Sequence, residues 1–84
     1  MATVEERVKM VTGRVLDLDP AGIKASDEFG ADLGAESVQS IELVAMFEEE
    51  FGIEMDEDEA LSVTSVESAV EYITKVCTEQ GAAI

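Results

Sequence analysis

The sequence has no histidine, no tryptophan, one cysteine, one proline and only five basic residues among 84. Each shortage closes a functional class. Without histidine the usual general base is missing, and Cys77 has no neighbouring activator, so no catalytic residue is assigned and Cys77 reads as a partly buried residue near a helix end. A lone cysteine forms no internal disulfide, and with no histidine beside it no soft-metal site is assigned. Five Lys and Arg can neutralise few phosphates, which argues against nucleic acid as a partner. No apolar run approaches membrane-spanning length, and the first ten residues carry acids where a signal peptide needs an apolar stretch. The chain reads as a soluble, cytoplasmic monomer with no membrane insertion.

Negative charge is what the chain has in excess. Twenty Asp and Glu give a formal net charge of −15, and from Ser26 to Thr74 no basic residue interrupts the acids. That stretch projects a continuous negative potential, so proteins with basic patches are its natural partners. The acid run Asp56-Glu57-Asp58-Glu59 lacks the alternate acids, central glycine and terminal glutamate of a calcium loop, and no specific metal site is assigned to it. At this length the chain is one domain, residues 1–84, burying about 60–65% of the surface its unfolded form exposes.

Hydrophobic spacing is helical throughout, and no strand-type alternation is present. Val4, Val8, Val11 and Val15 predict an amphipathic helix over residues 3–17, weakened at Gly13 by roughly 1 kcal/mol. Asp19-Pro20-Ala21-Gly22 is expected to end it. A long connection to Glu36 follows, pinned by Ile23, Phe29 and Leu33. A second helix is expected from Ser37 to Phe51, stopped by Gly52. Asp56 with Glu59 forms a capping pattern for a short helix over Glu57–Ser62, and Thr64 with Glu67 repeats it before a last helix with the stripe Val66, Ala69, Val70, Ile73 and Val76 or Cys77. Residues from about 80 to 84 are expected to fray. The fold class is all-α, a four-helix bundle of three longer helices and one short one. Candidate core positions are Phe29, Leu33, Leu43, Phe47, Ile53, Ala60, Val63, Ala69 and Ile73.

The segment Asp32-Leu33-Gly34-Ala35-Glu36-Ser37-Val38 puts a hydroxyl at the start of a helix, after two small residues that let another protein approach. Ser37 reads as an N-cap, the commonest role of such a serine. A phosphate ester there would also be favoured by the helix dipole and the unpaired amides, and the two roles are compatible.

These residues resemble the acyl carrier proteins of bacterial fatty acid or polyketide synthesis. The family pattern Asp-Leu-Gly-Ala-Asp-Ser-Leu stands here as Asp32 to Val38, followed by Glu42-Leu43-Val44 and Glu48-Glu49-Glu50-Phe51. The likeness extends from Glu5-Glu6-Arg7-Val8 to Ala69-Val70-Glu71-Tyr72-Ile73. It implies that Ser37 receives 4′-phosphopantetheine from coenzyme A through a transferase, and that acyl groups ride on the terminal thiol as thioesters. It also implies a docking surface at Glu36, Val38, Gln39, Glu42, Ala45, Glu48 and Glu49, with Met55 and Glu57 at its margin, facing basic patches of the transferase and acyl-processing enzymes. Phe29, Leu43, Phe47, Ala60, Val63 and Ala69 become candidates for an acyl pocket. Glu36 and Val38 depart from the family's Asp and Leu, Gln39 from an acid, and Ala45 from a larger apolar residue, which suits a specialised carrier. Peptidyl, aryl and D-alanyl carriers of the same fold remain alternatives, although Gly34-Ala35-Glu36 differs from the Gly-Gly-His or Gly-Gly-Asp usual in peptidyl carriers. An acidic helical interaction module, with Ser37 only a cap, is the alternative from another class.

Overall fold

The computed structural model describes residues 2–84 and contains α1 (Val4–Leu16), α2 (Ser37–Phe51), α3 (Glu57–Ser62) and α4 (Val66–Gln80), with a 3₁₀ turn at Pro20–Gly22. No strand occurs among the described residues, and the all-α bundle of three longer helices and one short one stands. Thr3 starts α1 through a reciprocal capping box: the Glu6 N–H donates to Thr3 Oγ1 and the Thr3 N–H to Glu6 Oε1, both at 3.1 Å. Those Thr3 contacts, the backbone one first, hold the Glu6 carboxyl below its ordinary pKa.

The expectation that Pro20 ends α1 is corrected. The helix closes at Leu16, where Asp17 adopts the left-handed conformation (φ 58°) and its N–H donates to the Gly13 carbonyl. The Leu18 N–H donates to the same oxygen at 2.8 Å. Pro20 instead opens the 3₁₀ turn, which Asp19 caps by accepting from the Ala21 N–H at 2.9 Å. This return of the chain crowds α1: a Cβ at Gly13 would stand 2.6 Å from the Leu18 carbonyl oxygen and 3.0 Å from Pro20 Cγ. Glycine at 13 is therefore a packing requirement.

The connection from Ile23 to Glu36 is held at both its apolar and its polar groups. Ile23 and Phe29 are buried and Leu33 packs half-buried on the core. The carbonyls of Asp27 and Ala25 accept from the Val66 and Glu67 N–H groups at 2.9 Å, satisfying two otherwise unpaired donors at the start of α4. The Phe29 N–H donates to the Thr64 carbonyl at 2.9 Å. Because the loop engages this region, the α4 cap moves one residue from the expected Thr64: Ser65 Oγ accepts from the Ser68 N–H at 3.2 Å.

The core joins Val8 and Val11 of α1, Leu43, Phe47 and Phe51 of α2, and Val66, Ala69, Ile73, Val76 and Cys77 of α4, with Ile23, Phe29 and Ile53 from the connections. Of the candidate core positions, Leu33, Ala60 and Val63 are only half-buried. Arg7 ties α1 to the end of α2. Its Nε donates to Glu50 Oε2 at 2.9 Å, its Nη2 to the Glu50 carbonyl at 2.8 Å, and its guanidinium lies 4.3 Å from the Phe51 ring centroid.

Hydrogen bonds hold α3 and the chain before it. Asp56 Oδ1 accepts from the Glu59 N–H at 3.1 Å, while the Glu59 carboxylate turns to Tyr72, whose hydroxyl donates to Oε1 at 3.2 Å. The Met55 N–H donates to Glu48 Oε2 at 2.8 Å. Gln80, expected at the start of a frayed tail, is the last residue of α4; its Nε2 donates to the Glu54 carbonyl at 2.6 Å and its Oε1 accepts from the Glu54 N–H at 2.9 Å. Among the described residues no helix is long and apolar enough to cross a membrane.

Candidate functional site

Ser37 is the first residue of α2 and is exposed. Its expected role as N-cap is corrected, because Glu36 occupies that position in extended conformation (φ −87°, ψ 167°). The Glu36 N–H donates to Gln39 Oε1 at 2.9 Å, and the Glu36 carbonyl accepts from the Ser40 N–H at 2.9 Å and the Ser40 hydroxyl at 3.3 Å. Ahead of it, Gly34 turns the chain with φ 73°, which a side chain would strain, and the Ala35 N–H donates to the Phe29 carbonyl at 2.8 Å. The result is a rigid corner that delivers an exposed hydroxyl beside the unpaired amides of the first turn of α2.

The other helix serines are engaged. The hydroxyl of Ser62 donates to the Glu59 carbonyl at 2.7 Å, and Ser65 and Ser68 bond each other at 2.8 Å. With Ser40 bonded to Glu36, Ser37 is the helix serine whose hydroxyl makes no hydrogen bond among the described residues.

The surface residues expected to dock partners divide into two sets. Glu36, Val38, Glu42, Ala45, Glu49 and Glu57 are exposed. Gln39, Glu48 and Met55 are half-buried and engaged in the bonds described above, so Glu48 acts as an anchor for the following loop. Ile41, 53% exposed beside Val38 at 65%, was missed as a member of this face. Its signal was available, since positions 38, 41 and 45 fall on one side of a helix and 43, 47 and 51 on the other.

The six pocket candidates, Phe29, Leu43, Phe47, Ala60, Val63 and Ala69, line one cleft of about 60 Å³ between α2, α3 and α4. Val44, Met55, Leu61 and Ile73 complete its apolar wall, and Ser40 and Tyr72 add hydroxyls. Burial, followed by the bond to Glu59 and its charge, pushes the Tyr72 phenol pKa up. Cys77 lies away from this cleft and is 0% exposed, which corrects the expectation of partial burial. Burial raises its thiol pKa against the opposing charge of Arg7, and an inaccessible neutral thiol is a poor nucleophile. Among the described residues no group of His, Cys, Asp and Glu is arranged to hold a metal ion.

Residues 6–73 match the family described as "Phosphopantetheine attachment site", and the chain belongs to that family. A solved structure described as an acyl carrier protein from Mycobacterium tuberculosis is similar at 26% identity, covering 87% of this chain and 97% of that one, with a TM-score of 0.80. Family and fold together define an acyl carrier protein, a carrier rather than an enzyme, with 4′-phosphopantetheine as its covalent prosthetic group. Such a carrier works by interacting with acyl-processing enzymes.

Proposed function

We propose that Ser37 is the attachment residue and that the chain carries acyl intermediates in fatty acid or related acyl-chain biosynthesis. The observation that carries this reading is the free, exposed hydroxyl of Ser37 at the first position of α2, where neighbouring helix serines are bonded inward. The residues present fit the group: the α2 N-terminus favours a phosphodiester, and the small residues Gly34 and Ala35 leave its approach open. Attachment forms a P–O bond from Ser37 Oγ to the phosphopantetheine phosphate of coenzyme A, releases the hydroxyl proton and expels adenosine 3′,5′-bisphosphate. Once bound, the group supplies a thiol that holds acyl cargo as a thioester.

The remaining residues divide the work of recognition and shelter. Glu36, Glu42, Glu49 and Glu57 present charge to basic patches of the transferase and acyl-processing enzymes, around the apolar strip of Val38, Ile41 and Ala45. Glu48 and Met55 shape the margin of that face from behind. At roughly 30 Å³ per water-sized group, the cleft of about 60 Å³ accommodates about two such groups, room for the first carbons of an acyl chain. In this reading the carrier acts as a cytoplasmic monomer, where coenzyme A is available.

Intact-mass spectrometry after incubation with coenzyme A and a broad-specificity transferase tests the assignment. Wild type and Ser40→Ala should gain the mass of the group, and folded Ser37→Ala should not. Modification of Ser37→Ala would move the site elsewhere.

A further inference from the structure

The start of α2 contains a competition between two caps. Serine is a preferred N-cap and glutamate is not, so the local sequence favours a helix beginning at Val38 with the Ser37 hydroxyl turned back onto the Ser40 amide. The structure has the other register. Glu36 stands in the cap position, Ser37 is helical, and the Ser40 N–H is bonded to the Glu36 carbonyl at 2.9 Å. The side chain that favours this register is Gln39, whose Oε1 accepts from the Glu36 N–H at 2.9 Å. That bond exists only when residue 36 caps and residue 39 lies three positions into the helix. Gln39 is half-buried while its neighbours Val38 and Glu42 are exposed, as befits a side chain folded back on its own backbone.

We infer that Gln39 is a positioning residue for modification: by holding the Glu36 amide it fixes where α2 begins and keeps the Ser37 hydroxyl from being consumed as a cap. The inference rests on Ser37 being the attachment residue. A hydroxyl donated or accepting within its own first turn is turned away from an incoming phosphorus, so every molecule in the Ser37-capped register is withdrawn from the reaction. The effect falls on the rate of forming the P–O bond and leaves the charge of the docking face unchanged.

The test compares wild type, Gln39→Ala and Gln39→Glu, the last retaining an oxygen at the same reach. Two quantities are measured: the initial rate of mass gain with coenzyme A and transferase, at low and high salt, and the 13Cα and 13Cβ shifts of Ser37 in the unmodified protein. The loss of about one capping interaction shifts the register equilibrium about fivefold, so Gln39→Ala should be modified more slowly, by at most that factor, at both salt concentrations. Its Ser37 shifts should move from helical toward cap values, and Gln39→Glu should restore the shifts and, at high salt where its added charge is screened, the rate. An unchanged rate with unchanged shifts overturns the inference. So does a slow Gln39→Ala whose Ser37 stays helical, because Gln39 would then be a contact for the transferase. Wild type that takes no group at Ser37 would instead defeat the attachment reading, while the shifts still decide whether Gln39 sets the register.

Discussion

Five residues of α4, Val66, Ala69, Ile73, Val76 and Cys77, are buried, whereas the six residues of α3 contribute none. The two helices are successive in the chain, yet they are held by different physics. Apolar contact fixes α4 against α1 and within the shared core, and burying one such side chain contributes about 1.5–3 kcal/mol. For α3 the directional ties are the Tyr72 hydroxyl on Glu59 and the anchoring of Met55 by Glu48, each worth roughly 0.5–1.5 kcal/mol. The lesson is a division within one small domain: a packed frame that sets the helix axes, and a lightly held wall along the cleft that opens at lower free energy.

The comparison breaks most completely at Phe47, which is buried in the frame and also lines the cleft. Phe47→Ala should remove about 3–5 kcal/mol of unfolding free energy, most of what a domain this size has. Urea titration should show frame and wall lost together at a much lower midpoint. A loss below about 1 kcal/mol would mean that the frame is not held by packing.

A smaller change tests the frame at a position where local and tertiary arguments have opposite signs. On helix propensity alone, Gly13→Ala should stabilise α1 by about 1 kcal/mol. The 2.6 Å approach of the Leu18 carbonyl predicts the reverse, a loss of roughly 1–3 kcal/mol from overpacking. Thermal unfolding should therefore begin at lower temperature in the variant, and a raised midpoint would show that the 3₁₀ turn yields freely.

The smallest expected effect sharpens the distinction most. Tyr72→Phe keeps the ring against the cleft and removes only the hydroxyl that bonds Glu59, so global stability should fall by no more than about 0.5–1 kcal/mol. Amide hydrogen exchange should quicken within Glu59–Ser62 while that of Ile73 and Val76 stays slow. Equal acceleration in both helices would mean that α3 and α4 open as one unit.

Local patterns were legible wherever one stretch of chain decides its own structure. The end of α2 follows from Gly52 and the start of α3 from Asp56 with Glu59, and the pocket candidates that lie in helices, Leu43, Phe47, Ala60 and Ala69, meet in one cleft because apolar spacing orients whole helix faces. What escaped depends on partners distant in sequence or on unusual residue choices. The α4 cap moved to Ser65 because a loop nearly forty residues earlier supplies Ala25 and Asp27 carbonyls to its first amides. Gly13 looked like a weak point because propensity contains no term for Pro20 folding over it. Glu36 was not foreseen as a cap because glutamate seldom serves as one, and with it the role of Gln39 was hidden. Glu48 was counted with the docking acids because charge is visible in a sequence and a bond to the Met55 amide is not.

The enclosure of Cys77 bears on chemical selectivity. A carrier whose cargo hangs on a sulfur must not offer a rival sulfur, since thiolates exchange with thioesters and disulfides alike. With its one cysteine sealed beneath α1 and α4, the polypeptide contributes no competing acceptor at its surface. Acyl groups and alkylating probes that reach the folded protein with an unacylated arm thus meet a single reactive thiol, the one at the end of the arm, and a maleimide should count free arms rather than chains.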